Sequence, residues 1–415
     1  LTILSELKNR YLLLLCTAMV ILSLGVGLVT PMLPGYMKDE FGSTDTAVGF
    51  LITFFGIMRL VMDFPAGLLA DKFGRKVILC IGLSVAGTAG YLNGLAATYW
   101  QLLLFRGLQG AGSGLYMTVI LTMLSDISPP DKRGKIMAVY QGSMLLGMVF
   151  GSSIGGFLTE YVSPNAPFFA FGTIAFASMF VFLIFMPETS KLAGGPVQGG
   201  HSGAAAEKPL QVLKGLLKNR DFVLIVFVAF VLFVTLTGSR QTILPLLGKY
   251  RIGLGQDKIG VAFSLDAIST LFFMILVGYL IDRFGKKNMI VGGLILSACG
   301  LLILTFAYSY MIYILGFLVF GLGRGMSGPA PAAYVMDISD KKNTGTIMGI
   351  YRMSADLGFV MGPVLMGSIS DMAGSDYRYP LGFNILLLIV ASVLFLFCAR
   401  ESCRKIVPIG GAVEE

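Results

Sequence analysis

Charge is scarce in this chain of 415 residues: Asp, Glu, Lys and Arg together make up 13% of it, about half the share of an ordinary soluble domain. A solvated shell is therefore missing, which nearly excludes a water-soluble enzyme. Histidine is reduced to one residue, His201, in a Gly-rich stretch, so metal catalysis and His-dependent acid–base chemistry lose their usual carriers. The five cysteines (Cys16, Cys80, Cys299, Cys398 and Cys403) show no paired spacing, which argues against both a disulfide framework and a zinc knot. No H-E-x-x-H sequence, acyl-transfer histidine or Walker sequence occurs, so an intramembrane enzyme and direct drive by ATP are disfavoured. No cofactor and no metal are expected.

What is present is apolar. Hydrophobic residues form 55% of the chain, with 53 Gly, 31 Phe and 22 Met. They come in runs of about 20 residues, the length that crosses a bilayer as a helix. Twelve such runs begin near Leu12, Val48, Val77, Trp100, Ile136, Pro167, Phe222, Ile259, Met289, Tyr310, Thr346 and Pro380. The first is too long, and has too many apolar successors, to be a removed signal peptide. These features predict an all-α polytopic membrane protein with twelve transmembrane helices.

Basic residues orient the spans. If the N-terminus is cytoplasmic, the inside segments hold 21 of the 31 Lys and Arg, and the outside loops hold Lys38, Lys249, Arg251, Lys258 and Arg378. This asymmetry places both termini inside. It also accounts for the net charge of +8 through an anionic lipid surface, with no long basic tail for nucleic acid.

The chain divides in two. Residues 191–219 are rich in Gly, Ala and Pro, then weakly amphipathic at 210–217, and read as a cytoplasmic linker ending in a short surface helix. They separate an N-terminal six-helix bundle (1–190) from a C-terminal one (220–402), with a tail at 403–415. An internal repeat supports the division. GLLADKFGRK at 67–76 and GYLIDRFGKK at 278–287 share six of ten positions at an offset of 211; GMVFGSSIGG from Gly147 and GFVMGPVLMG from Gly358 share a glycine framework at the same offset. RGLQG from Arg106 matches RGMSG from Arg324 at an offset of 218. Two similar bundles suit a transporter that rocks around a midplane site.

These motifs resemble the major facilitator superfamily. Its loop pattern G-x-x-x-D-[RK]-x-G-[RK]-[RK] is complete at Gly67, Asp71, Lys72, Gly74, Arg75 and Lys76, and again at Gly278, Asp282, Arg283, Gly285, Lys286 and Lys287. Within that superfamily the chain is similar to the twelve-helix drug:proton antiporters. Pro31, Leu33 and Pro34 match their first-helix signature, and Arg106, Gln109 and Gly110 match their fourth-helix motif. In the fifth helix Gly147, Gly151, Gly155 and Gly156 match the antiporter motif, but Ser152 stands where proline is expected; the eleventh-helix copy has Gly362 and Pro363. The resemblance implies proton-coupled efflux of small hydrophobic or amphiphilic compounds by alternating access. A functional monomer in a bacterial inner membrane, with small-molecule substrate, protons and the lipid bilayer as partners, is expected. The alternative is a symporter or uniporter of a specific anionic metabolite or lipid, favoured by Ser152 and by an excess of intramembrane arginine.

Charge inside a bilayer marks function by default. Arg59 and Asp63, like Arg352 and Asp356, are four apart and can share a helix face, as structural clamps or as proton-released pairs. Arg106 stands alone in its run, and the resemblance implies a role in proton coupling. Arg240, Asp266 and Arg324 complete the intramembrane set. Asp71, Arg75 and Asp282 belong to the loop motif, where Asp71 is expected to meet the positive end of a neighbouring helix and Arg75 to pair with an acid such as Asp126. The substrate path, as in the family, is expected along helices 1, 4, 7 and 10 with 2, 5, 8 and 11. Candidate lining residues are Met32, Tyr116, Met117, Gln141, Met144, Arg240, Gln241, Phe263, Arg324, Tyr334 and Tyr351. Met and aromatic residues suit an adaptable apolar cavity but are equally common in ordinary packing.

Overall fold

The computed structural model describes residues 10–128, 133–189, 216, 219–339 and 344–401. Among the described residues twelve long helices follow one another: α1 (Tyr11–Phe41), α2 (Asp45–Phe73), α3 (Arg75–Gly94), α4 (Tyr99–Ile127), α5 (Arg133–Tyr161) and α6 (Ala166–Phe185), then α7 (Arg220–Arg251), α8 (Gln256–Phe284), α9 (Lys286–Thr305), α10 (Tyr310–Ile338), α11 (Thr344–Met372) and α12 (Arg378–Cys398). Each starts within three residues of its apolar run. The surface helix expected at 210–217 lies, apart from Leu216, outside the described residues, as does the tail at 403–415.

Local chemistry sets the helix ends. The Thr44 hydroxyl accepts from the Ala47 N–H at 3.2 Å to start α2, Thr98 accepts from Gln101 at 3.3 Å to start α4, and Asn219 accepts from Asp221 at 3.0 Å to start α7. Between α2 and α3 the chain turns on Gly74 at φ +95°, and between α8 and α9 on Gly285 at φ +83°. A Cβ disfavours that region, which is why the repeated motif needs glycine there. α1 breaks around Pro31 and resumes at Leu33; α10 breaks at Gly328 and resumes at Ala330. In α7 a π-helical stretch covers Thr235–Ile243.

Eleven of these helices are long and apolar enough to cross a membrane by composition alone; α4 is not among them. Its Arg106, Gln109 and Ser113 are buried in the protein, which spares them contact with lipid. The chain is thus an integral membrane protein.

Buried apolar side chains separate into two clusters, one running from Leu12 to Met186 and the other from Phe222 to Ala399, so α1–α6 and α7–α12 form two six-helix bundles. Glycine seams hold the helices together inside each bundle. Gly147, Gly151 and Gly155 of α5 press on the carbonyls of Val20, Leu24 and Leu28 in α1, while Gly82 of α3 meets Gly112 of α4 and Gly293 of α9 meets Gly323 of α10. Lipid tails supply no hydrophobic drive between helices, so such close backbone packing supplies the attraction. The bundles meet along α2 with α11 and α5 with α8.

Candidate functional site

A cavity of ≈ 550 Å³ lies between the bundles, walled by α1, α2, α4, α5, α7, α8, α10 and α11. Tyr116, Met117, Gln141, Met144, Gln241, Arg324 and Tyr351 reach its wall, together with Arg59 and Arg106. Four other candidates do not. Met32 is fully buried at the break in α1, and Phe263 is fully buried beneath the Arg240 guanidinium, which lies 4.7 Å from its ring centroid. Arg240 is itself 1% exposed. Tyr334 donates to the Arg400 carbonyl at 2.7 Å, at the end of the bundle that carries the repeated basic motif. Helical spacing places a residue on a face, but the break in α1 and the π-helical stretch in α7 change which face meets the cavity.

Arg106 has dipoles for partners in place of a counter-ion. Its Nη1 donates to Gln109 Oε1 at 2.7 Å, and the same oxygen accepts from Asn93 Nδ2 at 2.8 Å. The guanidinium lies 4.9 Å from the Phe55 ring centroid, and its Nε is buried without a hydrogen-bond partner. Among the described residues no carboxylate pairs with it. A ring face and an amide oxygen hold a cation more weakly than a carboxylate does, so the charge stays available.

In the second bundle three candidates form a single triad. Asp266 Oδ2 accepts from Arg240 Nε and from Arg324 Nη1, each at 2.6 Å, and Asp266 is fully buried. The π-helical stretch widens the turn that carries Arg240 and rotates it toward α8. One carboxylate between two guanidiniums leaves a net positive charge. Asp266 Oδ1 and Arg240 Nη1 have no hydrogen-bond partner.

The spacing of four suggested ion pairs within α2 and within α11; the closest pair instead joins the helices. Arg59 meets Asp356 at 3.7 Å and lies 5.0 Å from the Phe359 ring centroid. Asp63 accepts from the Thr118 hydroxyl at 2.8 Å, and Arg352 is exposed. The packing of α2 on α11 offers Arg59 and Asp356 partners on opposite bundles, which spacing along one helix does not reveal.

A family model described as Major Facilitator Superfamily matches residues 15–255 and 234–410. The chain belongs to the Major Facilitator Superfamily. Among curated relatives, "Quinolone resistance protein NorA" of Staphylococcus aureus is 27% identical over 369 residues, covering 88% of this chain and 91% of that protein. "Multidrug resistance protein 1" of Bacillus subtilis is 27% identical over 398 residues, covering 94% and 96%. The fold also matches the crystal structure of the nucleoside transporter NupG, with a TM-score of 0.76 at 13% identity over 93% of this chain and 98% of that one.

The major facilitator loop motif takes up defined contacts. Arg75 is paired with Asp126 and lies 3.9 Å from Asp71. The positive end of α3 is met by Glu188 and not by Asp71: the Glu188 carboxylate accepts from the N–H groups of Arg75 and Lys76 at 3.0 and 3.1 Å. In the second copy Lys286 is paired with Asp337, and Glu401 accepts from the Lys287 N–H at 3.3 Å. The side chain of Asp282 lies outside the described ones. Neither glutamate was among the residues nominated from the sequence. Both follow the last helix of a six-helix bundle, a signal that a wider repeat comparison would contain.

Unanticipated contacts also close the opposite face. Asp371 of α11 accepts from the first N–H groups of α2, Asp45 at 2.9 Å and Thr46 at 2.8 Å, while Glu160 of α5 accepts from the first N–H of α8, Gln256, at 2.8 Å. Asp371 and Glu160 are 211 apart, as are Gln256 and Asp45, so one latch is the repeat image of the other. Lys38 pairs with Asp45 at 2.6 Å, and Lys249 with Asp39. A Cβ at Gly49 would overlap the Pro363 carbonyl, and one at Gly260 the Ser152 carbonyl. Toward the basic face the seams part: a Cβ at Gly67, Gly142, Gly278 or Gly349 would meet none of the described residues within 4 Å.

Proposed function

We propose that the chain is a proton-coupled exporter of small hydrophobic or amphiphilic compounds, working by alternating access in a plasma membrane with both termini cytoplasmic. The moving bodies in this reading are 1–190 and 220–402, joined by the linker 191–219, with 403–415 as a tail. One observation carries it: a mostly apolar cavity between two bundles whose seams are latched at one face and parted at the other. The printed names of the two bacterial relatives support export of drug-like compounds.

Asp356 and Arg59 join the bundles at the buried end of the parted seam, so protonation of Asp356 would loosen one bond between them. In this reading Arg106, which has no carboxylate partner among the described residues, ties proton movement to occupation of the cavity. The energy source is the proton gradient, and no cofactor enters the scheme.

Proteoliposomes with an imposed pH gradient test the reading against a panel of lipophilic dyes. Antiport predicts accumulation of dye in an acidic lumen and its loss when the gradient is collapsed. Accumulation in an alkaline lumen, or transport indifferent to the gradient, would replace export by symport or uniport.

A further inference from the structure

The charges on the cavity wall are all of one sign. Arg59, Arg106 and Arg324 reach it, and among the described residues no carboxylate does. The acids of the membrane interior are engaged behind the wall: Asp266 with two guanidiniums, Asp356 with Arg59, and Asp63 with Thr118. Counting Arg240 and Arg352, the interior holds five arginines against three aspartates. A lipophilic cation entering this space would meet guanidiniums on the wall, with Asp266 and Asp356 already paired to arginines.

We infer that the preferred substrate is an amphiphilic organic anion, its acidic group held between Arg106 of the first bundle and Arg324 of the second, its apolar body against the Met, Phe and Leu lining. This rests on the transporter reading above and narrows it to one substrate class. Two further observations point to a ligand. Arg106 is more than nine-tenths buried, lines the cavity, and has no carboxylate partner among the described residues. Arg324 is 19% exposed at the wall and is the replaceable partner of Asp266, because Arg240 satisfies the same carboxylate oxygen from the other side. A substrate anion can therefore take hydrogen bonds from Arg324 without leaving Asp266 unpaired. Since the two arginines sit on different bundles, the bound anion would bridge them, and occupation would bias the rocking motion.

The test uses the full chain in nanodiscs and three probes that share one apolar body: naphthylacetate, naphthylethanol and naphthylethyl-trimethylammonium. Empty nanodiscs correct for partition into lipid. Wild-type protein is expected to bind the anion about tenfold or more tightly than the neutral and cationic congeners, the range for a charge-assisted hydrogen bond. Lysophosphatidate in the same assay separates the sources: competition at lower concentration than naphthylacetate assigns a lipid acid, and the reverse assigns a free organic acid.

R106Q and R324Q should each shrink the anion-to-neutral ratio, and the double variant should bring it near one, while R106K keeps part of it. Folding is checked by gel filtration and melting temperature; R324Q leaves Asp266 with Arg240, and R106Q leaves Gln109 with Asn93. Equal or tighter binding of the cation, or a ratio unchanged in both single variants, overturns the inference. Selective anion binding without movement of any probe in proteoliposomes sustains it and refutes the transporter reading instead.

Discussion

Arg106 and Asp266 differ in how their charge is balanced, and their variants should differ accordingly. Arg106 rests on an amide oxygen and a ring face, so its removal strands no opposite charge. In the export reading, Arg106→Ala abolishes proton-driven transport and Arg106→Lys retains part of it, read as internal pH change on substrate addition at equal amounts of folded protein. A merely structural arginine would lower the folded yield of both variants together, because lysine lacks the forked donors. Asp266 is the reverse case. Asp266→Asn leaves the buried Arg240 guanidinium facing that of half-buried Arg324 and should destabilise the fold by about 3–5 kcal/mol, seen as a fall in melting temperature in detergent. A fall no larger than that of R324Q would show that the triad contributes little to stability.

Among the elements, the helix N-termini of α2 and α8 do most to hold the closed face. Each has unpaired N–H groups and a positive dipole end, and each is met by a carboxylate from the other bundle. A charged hydrogen bond of this kind contributes roughly 1.5–3 kcal/mol, so losing both shifts a two-state equilibrium by well over tenfold. The double variant Asp371→Asn with Glu160→Gln should therefore populate the state open at this face, measured as longer distances between spin labels placed on the loops there. Distances unchanged from wild type would leave closure to the glycine seams and the Lys249–Asp39 pair. The Glu188 and Glu401 caps lie within one bundle each, so this variant leaves them untouched.

On the scale of the whole molecule, the parted and packed seams predict an accessibility map. On a background with its native cysteines replaced, Gly67→Cys and Gly349→Cys should react with a bulky impermeant maleimide added to the face that bears the basic motif. Gly49→Cys should stay unreactive or fail to fold, since a Cβ there meets the Pro363 backbone. Reaction of Gly67→Cys and Gly349→Cys only from the opposite face would overturn the parted seam at the basic face. Substrate that closes the molecule around itself should slow the labelling of both.

Hydrophobic run length, loop charge and the repeat at 211 were enough to determine the helices, because membrane insertion imposes a local requirement on every span: about 20 apolar residues with charge kept to the ends. Even α4, whose composition falls short of a membrane-crossing helix, was legible as an apolar run from Trp100. The partners of the interior charges were not legible. Arg59 with Asp356, Arg240 and Arg324 with Asp266, and Asp371 with the start of α2 all join residues on different helices, most of them far apart in sequence. Which helix faces another, and by how much a π-helical stretch or a break at proline rotates it, is decided by packing of the two bundles. Only the tertiary structure therefore decides that Arg59, Arg106 and Arg324 lie on the wall while Arg240 and Asp266 lie behind it.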